Sequence, residues 1–265
     1  MDFTILTIFP ELFDSFWEHG IIRRAIQSQI ISGAAVNIRD FAEGKHRVTD
    51  DRPYGGGCGM VMKPEPLAAA IRALRAQKPS APTVLMTPQG RVFDQALARD
   101  LATQEGLILV CGRYEGIDER ISEACIDYEL SIGDYVLTGG ELGAMVIIDA
   151  LTRLLPGALG GEDSADLDSF SADLLEHAHY TRPPVFEGQE VPEVLLSGNH
   201  QAIDRWRRET ALVRTFLKRP DLLAKRALDR QEIEILRRWC ADIEALVRAQ
   251  ALRGADPSPG PQQKR

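Results

Sequence analysis

Apolar residues in the first 155 positions fall in short unbroken runs separated by stretches of helical spacing. Residues 3–9 form a run rich in β-branched and aromatic side chains and predict a first strand. Ile21, Ile22, Ala25, Ile26 and Ile30 recur at helical intervals. Further strands are expected at 35–38, 83–87, 107–111 and 126–130, with helices at 67–75, 95–103 and 141–155 between and after them. Strands alternating with helices predict an α/β domain on a parallel sheet. From 160 to 169 the apolar content collapses into Gly, Ser and acidic residues, which reads as an exposed linker or mobile loop. Beyond it, 204–217 and 232–251 again carry apolar residues at helical spacing, so a smaller helical domain is expected. The organisation is thus 1–160 for the α/β domain, 161–169 for the linker, 170–253 for the helical domain and a disordered Pro-rich tail at 254–265.

Composition narrows the class. With 44% hydrophobic and 26% charged residues the chain of 265 is neither collagenous, coiled coil nor wholly disordered. No apolar stretch approaches the roughly 20 residues that cross a bilayer, and Met1-Asp2-Phe3 lacks the basic start of a signal peptide, so the expected location is cytoplasmic, away from membranes. Cys58, Cys111, Cys125 and Cys240 are scattered without a C-x-x-C pair, which argues against zinc knuckles and disulfides and leaves them as small buried hydrophobes. His177 and His179 flank Ala178, but with no third ligand nearby at helix or finger spacing they make a weak metal signal, and no structural metal is assigned.

The net charge of −8 hides an asymmetry. Residues 161–200 hold one basic residue, Arg182, against nine acidic ones, whereas 201–238 hold eleven basic against six acidic. The basic segment opens with Arg205-Trp206-Arg207-Arg208, which suits either contact with a phosphate backbone or a solvated helix face.

Three glycine-bearing loops lie at or near strand ends, where open α/β sheets bind ligands. The first, Tyr54 to Met60, carries four glycines among five positions and is flanked by Lys45, His46, Arg47 and Arg52. It reads equally as a site of close approach to phosphates and as a hairpin tip. The second runs from Cys111 to Arg120 directly after the strand at 107–111, and the third from Ser131 to Leu142 into a helix. Neither matches G-x-G-x-x-G, because Thr138 occupies the first glycine position, and no phosphate-binding G-x-x-x-x-G-K-[ST] or G-x-S-x-G elbow is present. A dinucleotide dehydrogenase or a P-loop NTPase is therefore disfavoured.

The stretches Gly112-Arg113-Tyr114-Glu115-Gly116-Ile117-Asp118-Glu119-Arg120 and Ser131 to Leu142 closely resemble the bacterial tRNA (guanine-N1)-methyltransferase family. The resemblance continues through Lys45-His46, Asp50-Asp51, Gly55-Gly56-Gly57, Pro88-Gln89-Gly90, Asp168-Ser169-Phe170, His179 to Pro183, Val191 to Leu195 and Ser197-Gly198-Asn199-His200. It implies a homodimer, with its active site at the subunit interface, that moves a methyl group from S-adenosylmethionine to N1 of guanine 37 of tRNA. It also implies a SPOUT-type α/β domain with a deep trefoil knot, a rare threading of the chain, followed by a smaller all-helical domain.

By the same resemblance the cofactor lies against Pro88, Gly112, Glu115, Gly116, Ile132, Gly133, Asp134, Tyr135, Val136, Leu137, Gly139 and Gly140. Glycine-rich strand ends with few side-chain ligands agree with reading an adenine edge by backbone groups. Guanine N1 carries a proton, so transfer needs a base there and a cation near O6. The resemblance assigns Asp168 as base and Arg153 as the O6 partner. The target base must leave its stack, and the anticodon arm would meet Lys45, His46, Arg52, Arg205, Arg207, Arg208 and Arg214. Family members are associated with magnesium, although no metal cage is legible. Cys58 stands where proline is common and Gly44 where an acidic or polar residue is usual, which touches the detail of the first loop only. The competing readings are a non-catalytic RNA-binding protein and a knotted methyltransferase acting on another RNA.

Overall fold

The computed structural model describes residues 1–160, 168–171 and 173–254; most of the linker expected at 161–169 and of the tail expected from 254 lies outside them. The chain divides into two units, Met1–Ala165 and Asp166–Arg265.

The first unit is built on a five-stranded, wholly parallel sheet in the order β2-β1-β6-β5-β7, where β1 is Asp2–Thr7, β2 Ser32–Asn37, β5 Thr83–Val92, β6 Gly106–Cys111 and β7 Tyr128–Ser131. Two short strands, β3 (Asp50–Asp51) and β4 (Val61–Met62), pair antiparallel beside it. Helices cover both faces, which is why the central strands read as continuous apolar runs. On one face Phe3, Ile5, Leu107 and Leu109 pack with Ala98, Leu101, Ile147 and Leu151; on the other Leu6, Ile108 and Val110 pack with Leu67, Ile71 and Ile121. All six residues of β6 are buried.

Ladder partners set the strand ends, and periodicity cannot see them. β1 stops at Thr7, short of Phe9, because the Thr7 hydroxyl accepts the Phe9 N–H at 2.9 Å and Pro10 opens a 3-10 turn. β2 starts three residues before the expected Ala35, with Ser32 and Gly33 beside Asp2 and Phe3. It ends before Ile38, where Asn37 caps a 3-10 turn by accepting from Arg39 N at 3.0 Å. β7 begins at Tyr128 instead of 126, and the helix expected at 141–155 closes as Glu141–Thr152. The helices Pro64–Gln77 and Gln95–Ala102 fall close to expectation, while Glu119–Cys125, capped by the Asp118 carboxylate on Arg120 N, is a further helix whose first two residues belong to the loop expected at 111–120.

In the second unit the two expected helices are His200–Lys218 and Arg230–Gly254, with the shorter Glu193–Leu196 and Pro220–Ala224 besides. Arg230–Gly254 opens on a reciprocal cap: Asp229 accepts from Glu232 N and Glu232 from Asp229 N, both at 2.9 Å. Glu232, only 2% exposed, also receives both bonds of Arg226. The unit is not wholly helical. β8 (Val185–Phe186) and β9 (Gln189–Glu190) form a hairpin whose central Glu187 and Gly188 both have positive φ, 51° and 78°, as a type I′ turn requires.

Candidate functional site

Three backbone segments converge in the first unit: the irregular end of β5, the loop after β6 and the loop after β7. The register of β5 against β7 shifts between Met86 and Arg91, so Thr87, Pro88 and Gln89 leave the ladder. Gly90 permits this, because any Cβ there would overlap the main chain of Glu129 and Leu130. The three segments line a cavity of about 330 Å³, within the size range of small-molecule sites.

A largely buried ion pair ties the loops together. Gly140 N donates to Gly112 O at 2.9 Å, and Arg113 and Gly139 form an antiparallel bridge. The Arg113 guanidinium reaches Glu141 through Nε at 3.1 Å and Nη2 at 2.9 Å, and donates to Thr138 O at 3.2 Å. Glu141, 1% exposed, also accepts from the Thr7 hydroxyl at 2.7 Å. Arg113 lies over the Phe9 ring at 4.7 Å. Glu141 sits at the first position of its helix, where the dipole favours a carboxylate. From the other side Glu115 N donates to Met60 O at 3.0 Å and Met62 N to Gly116 O at 2.9 Å. Tyr114 takes φ of 61° and Gly116 of 131°, which turns the loop backbone toward the cavity.

Of the expected cofactor residues, Pro88, Gly112, Glu115, Gly116, Ile132, Gly133, Tyr135, Val136, Leu137, Gly139 and Gly140 line the cavity. Asp134 does not; its neighbours turn back on themselves through Tyr135 N to Gly133 O at 2.9 Å, leaving it at the surface. Sequence reading missed the carboxylates Glu119 and Glu129, and also Arg113, in the lining. Arg113 and Glu119 were inside the quoted motif, whereas Glu129 is one of the alternating polar positions of β7 and carries no signal of its own. The lining therefore holds Glu115, Glu119 and Glu129 against one guanidinium that Glu141 already neutralises, which favours a cationic ligand.

Cys111 is fully buried; burial first, and then the Glu141 carboxylate, push its thiol well above the usual value, so it is no nucleophile. The expectation of four buried cysteines holds for Cys111 and Cys125 but not for Cys58 and Cys240, which are exposed because they sit in a glycine loop and on an outer helix face.

Arg153 is the exposed C-terminal cap of the Glu141–Thr152 helix, its N–H bonded to Asp149 O at 3.2 Å. Asp168 belongs to the second unit; it is half-buried, and its carbonyl accepts from Ser171 N at 3.1 Å. Lys45, His46 and Arg52 are exposed in the first unit. In the second, Arg205 is exposed, Arg207 pairs with Asp204 at 3.5 Å, and Arg208 is taken up by Asp229 and by Gln231 at 3.0 Å. Arg214 is half-buried with its Nε enclosed.

Glu176 stands beside the two histidines as a third possible ligand: one ligand atom from each of Glu176, His177 and His179 lies within 4.8 Å of the others. Among the described residues no other set of three His, Cys, Asp or Glu side chains is grouped in this way. No helix among them is long and apolar enough to cross a membrane.

The fold and the cavity define an α/β protein with a small cavity, lined by glycine loops and several carboxylates, at the carboxyl ends of parallel strands. The tRNA (Guanine-1)-methyltransferase TrmD family matches residues 1–225, and the chain belongs to this family of enzymes. It is 56% identical over 256 residues to the tRNA (guanine-N(1)-)-methyltransferase of Desulfatibacillum aliphaticivorans, covering 97% of this chain and 98% of that one. The enzyme of the same name from Dehalococcoides mccartyi is 53% identical over 237 residues, covering 89% and 96%. That from Syntrophotalea carbinolica is 56% identical over 241 residues, covering 90% and 97%.

Proposed function

We propose that the chain transfers a methyl group from S-adenosylmethionine to N1 of guanine 37 in tRNA, working as a homodimer in the cytoplasm. The observation that carries the reading is the cavity itself: eleven residues expected from the motifs to hold the cofactor line one pocket. Its chemistry suits the cofactor. Backbone N–H and C=O groups of the glycine loops can read an adenine edge, and the surplus of carboxylates favours a sulfonium and an ammonium group over a phosphate. When bound, the cofactor supplies a methyl group on a positively charged sulfur that departs with the bonding electron pair.

The protein's own part is to hold guanine and move one proton. Asp168 takes the N1 proton as the N1–CH3 bond forms, and Arg153 donates to O6 as negative charge develops there. Protonation of the carboxylate balances the sulfonium charge that is lost. We read the paths of 112–116 and 132–140 as parts of a trefoil knot; the Gly140–Gly112 bond and the Arg113–Gly139 bridge support it. The homodimer is supported by exposed Leu142 and Val146, one turn apart on the helix that leaves the cofactor loop, with Val136 at 86% exposure just before it. The anticodon arm would meet exposed Lys45, His46, Arg52 and Arg205. No residue is assigned to magnesium.

The test is methyl transfer from labelled cofactor to transcripts that carry guanine or adenine at position 37. Label recovered as N1-methylguanine from the first transcript alone is expected. Equal labelling of both, or label on ribose, would overturn the reading.

A further inference from the structure

We propose that Glu176, His177 and His179 of the second unit form a binding site for a divalent transition-metal ion of the zinc type, an inference that does not rest on the methyl-transfer reading. His177 and His179 are two residues apart in a stretch without regular secondary structure. Their rings lie 4.5 Å apart between centroids. His179 Nε2 is 2.8 Å from Glu176 Oε1, and the three ligand atoms fall within 4.8 Å of one another. Bond lengths of 2.0 to 2.2 Å to zinc place tetrahedral ligand atoms about 3.3 Å apart. Small side-chain rotations therefore close the site, with water as the remaining ligand.

Second contacts prepare it. His177 Nδ1 lies 3.1 Å from Ala178 O; donation there leaves Nε2 with its lone pair for a metal, the tautomer that metal-bound histidines generally adopt. The backbone is fixed just ahead of the ligands, since Leu175 N donates to the buried Thr215 hydroxyl at 2.8 Å and Glu176 N to Ser169 Oγ at 3.0 Å. Trp206 forms an apolar wall, 6.3 Å from the His177 ring and 6.1 Å from that of Tyr180. The surrounding sequence, nine acidic residues to one basic over 161–200, attracts cations. Two imidazoles select zinc, nickel or copper over magnesium, which prefers oxygen ligands.

Full-length protein without a histidine tag, stripped with chelator, is titrated with ZnCl2 by calorimetry and with NiCl2 by tryptophan fluorescence. We expect saturable uptake of one Zn2+ per chain, weakened at least tenfold in H177A/H179A and in E176Q/H177Q. Ni2+ is expected to quench wild type, with Zn2+ reversing the quench, and to lose most of its effect in W206F. Circular dichroism of the metal-free variants confirms that they fold, and H19A/H200A should bind as wild type does. No saturable uptake, uptake unchanged in both ligand variants, or quenching unchanged in W206F would overturn the proposal.

Discussion

Glu141→Gln isolates the charge that joins the cofactor loops. The amide retains an oxygen to accept from the Thr7 hydroxyl and Arg113 Nε, but it sets an NH2 group against Arg113 Nη2, where the carboxylate now stands at 2.9 Å. Glu141 is 1% exposed and the Arg113 side chain 18%, so water can do little to relieve the unpaired guanidinium. Breaking a buried ion pair from one side costs about 3 to 5 kcal/mol; the partial exposure of Arg113 argues for the lower end, about 3 kcal/mol. For a chain of this size that is a fall in Tm of roughly 6 to 12 °C. The assay is thermal and urea unfolding of the variant beside Glu119→Gln, a cavity carboxylate outside this network, which should stay within about 0.5 kcal/mol of wild type. The cycle completed with Arg113→Met should be strongly non-additive, because the second substitution removes the charge that the first stranded. S-adenosylmethionine affinity should fall in Glu141→Gln as well, since the pair fixes Gly112 against Gly139 and Gly140. A loss under 1 kcal/mol, or an additive cycle, would refute the argument that this ion pair braces the loops.

Other expectations follow from the same structure. A thiol reagent should modify Cys58 and Cys240 in the native protein and reach Cys111 and Cys125 only on unfolding, as mass spectrometry of the labelled peptides would record. Asp2 should tie stability to pH: burial alone would raise its carboxyl, but hydrogen bonds from Lys78, Ser32 and Thr4 and the Lys78 charge outweigh it and hold the group below its ordinary value. Its contribution is then present above about pH 4 and lost as pH falls through the lowered value, so Asp2→Asn should flatten the acid limb of a Tm–pH profile. Leu142→Glu with Val146→Glu should yield monomers in sedimentation and lose methyl transfer; a dimer that persists would mean the helix face is not the interface.

The central strands were legible because both sheet faces are covered, so β6 shows as an unbroken apolar run and β1 as a run of apolar and β-branched residues. Their ends were not, since they depend on which residue the neighbouring strand offers and on local caps such as Thr7 and Asn37. The hairpin of β8 and β9 escaped because two-residue strands leave no periodicity; the signal is the Glu187-Gly188 pair. The cavity was legible because its loops are long motifs rich in glycine; Asp134, exposed at the surface, is the one expected cofactor residue outside the lining. Glu129 escaped because a polar residue on a strand looks like any solvent-facing position. Glu176 escaped for a different reason: it directly precedes His177 and matches no finger spacing, and only the local fold of a stretch without regular secondary structure brings its carboxylate to His179. The basic segment was visible as charge, but its division into exposed Arg205 and interhelix Arg208 depends on tertiary partners.

The most direct test is single-turnover methyl transfer to the guanine-37 transcript by wild type and Asp168→Asn, with nucleosides identified by mass spectrometry and tRNA binding measured in parallel. The account predicts N1-methylguanosine from wild type, a rate about 10² to 10⁴-fold lower in the variant as expected on removing a general base, and equal tRNA affinity. Equal rates in the two proteins, or no methylation by wild type despite tRNA binding, would contradict it.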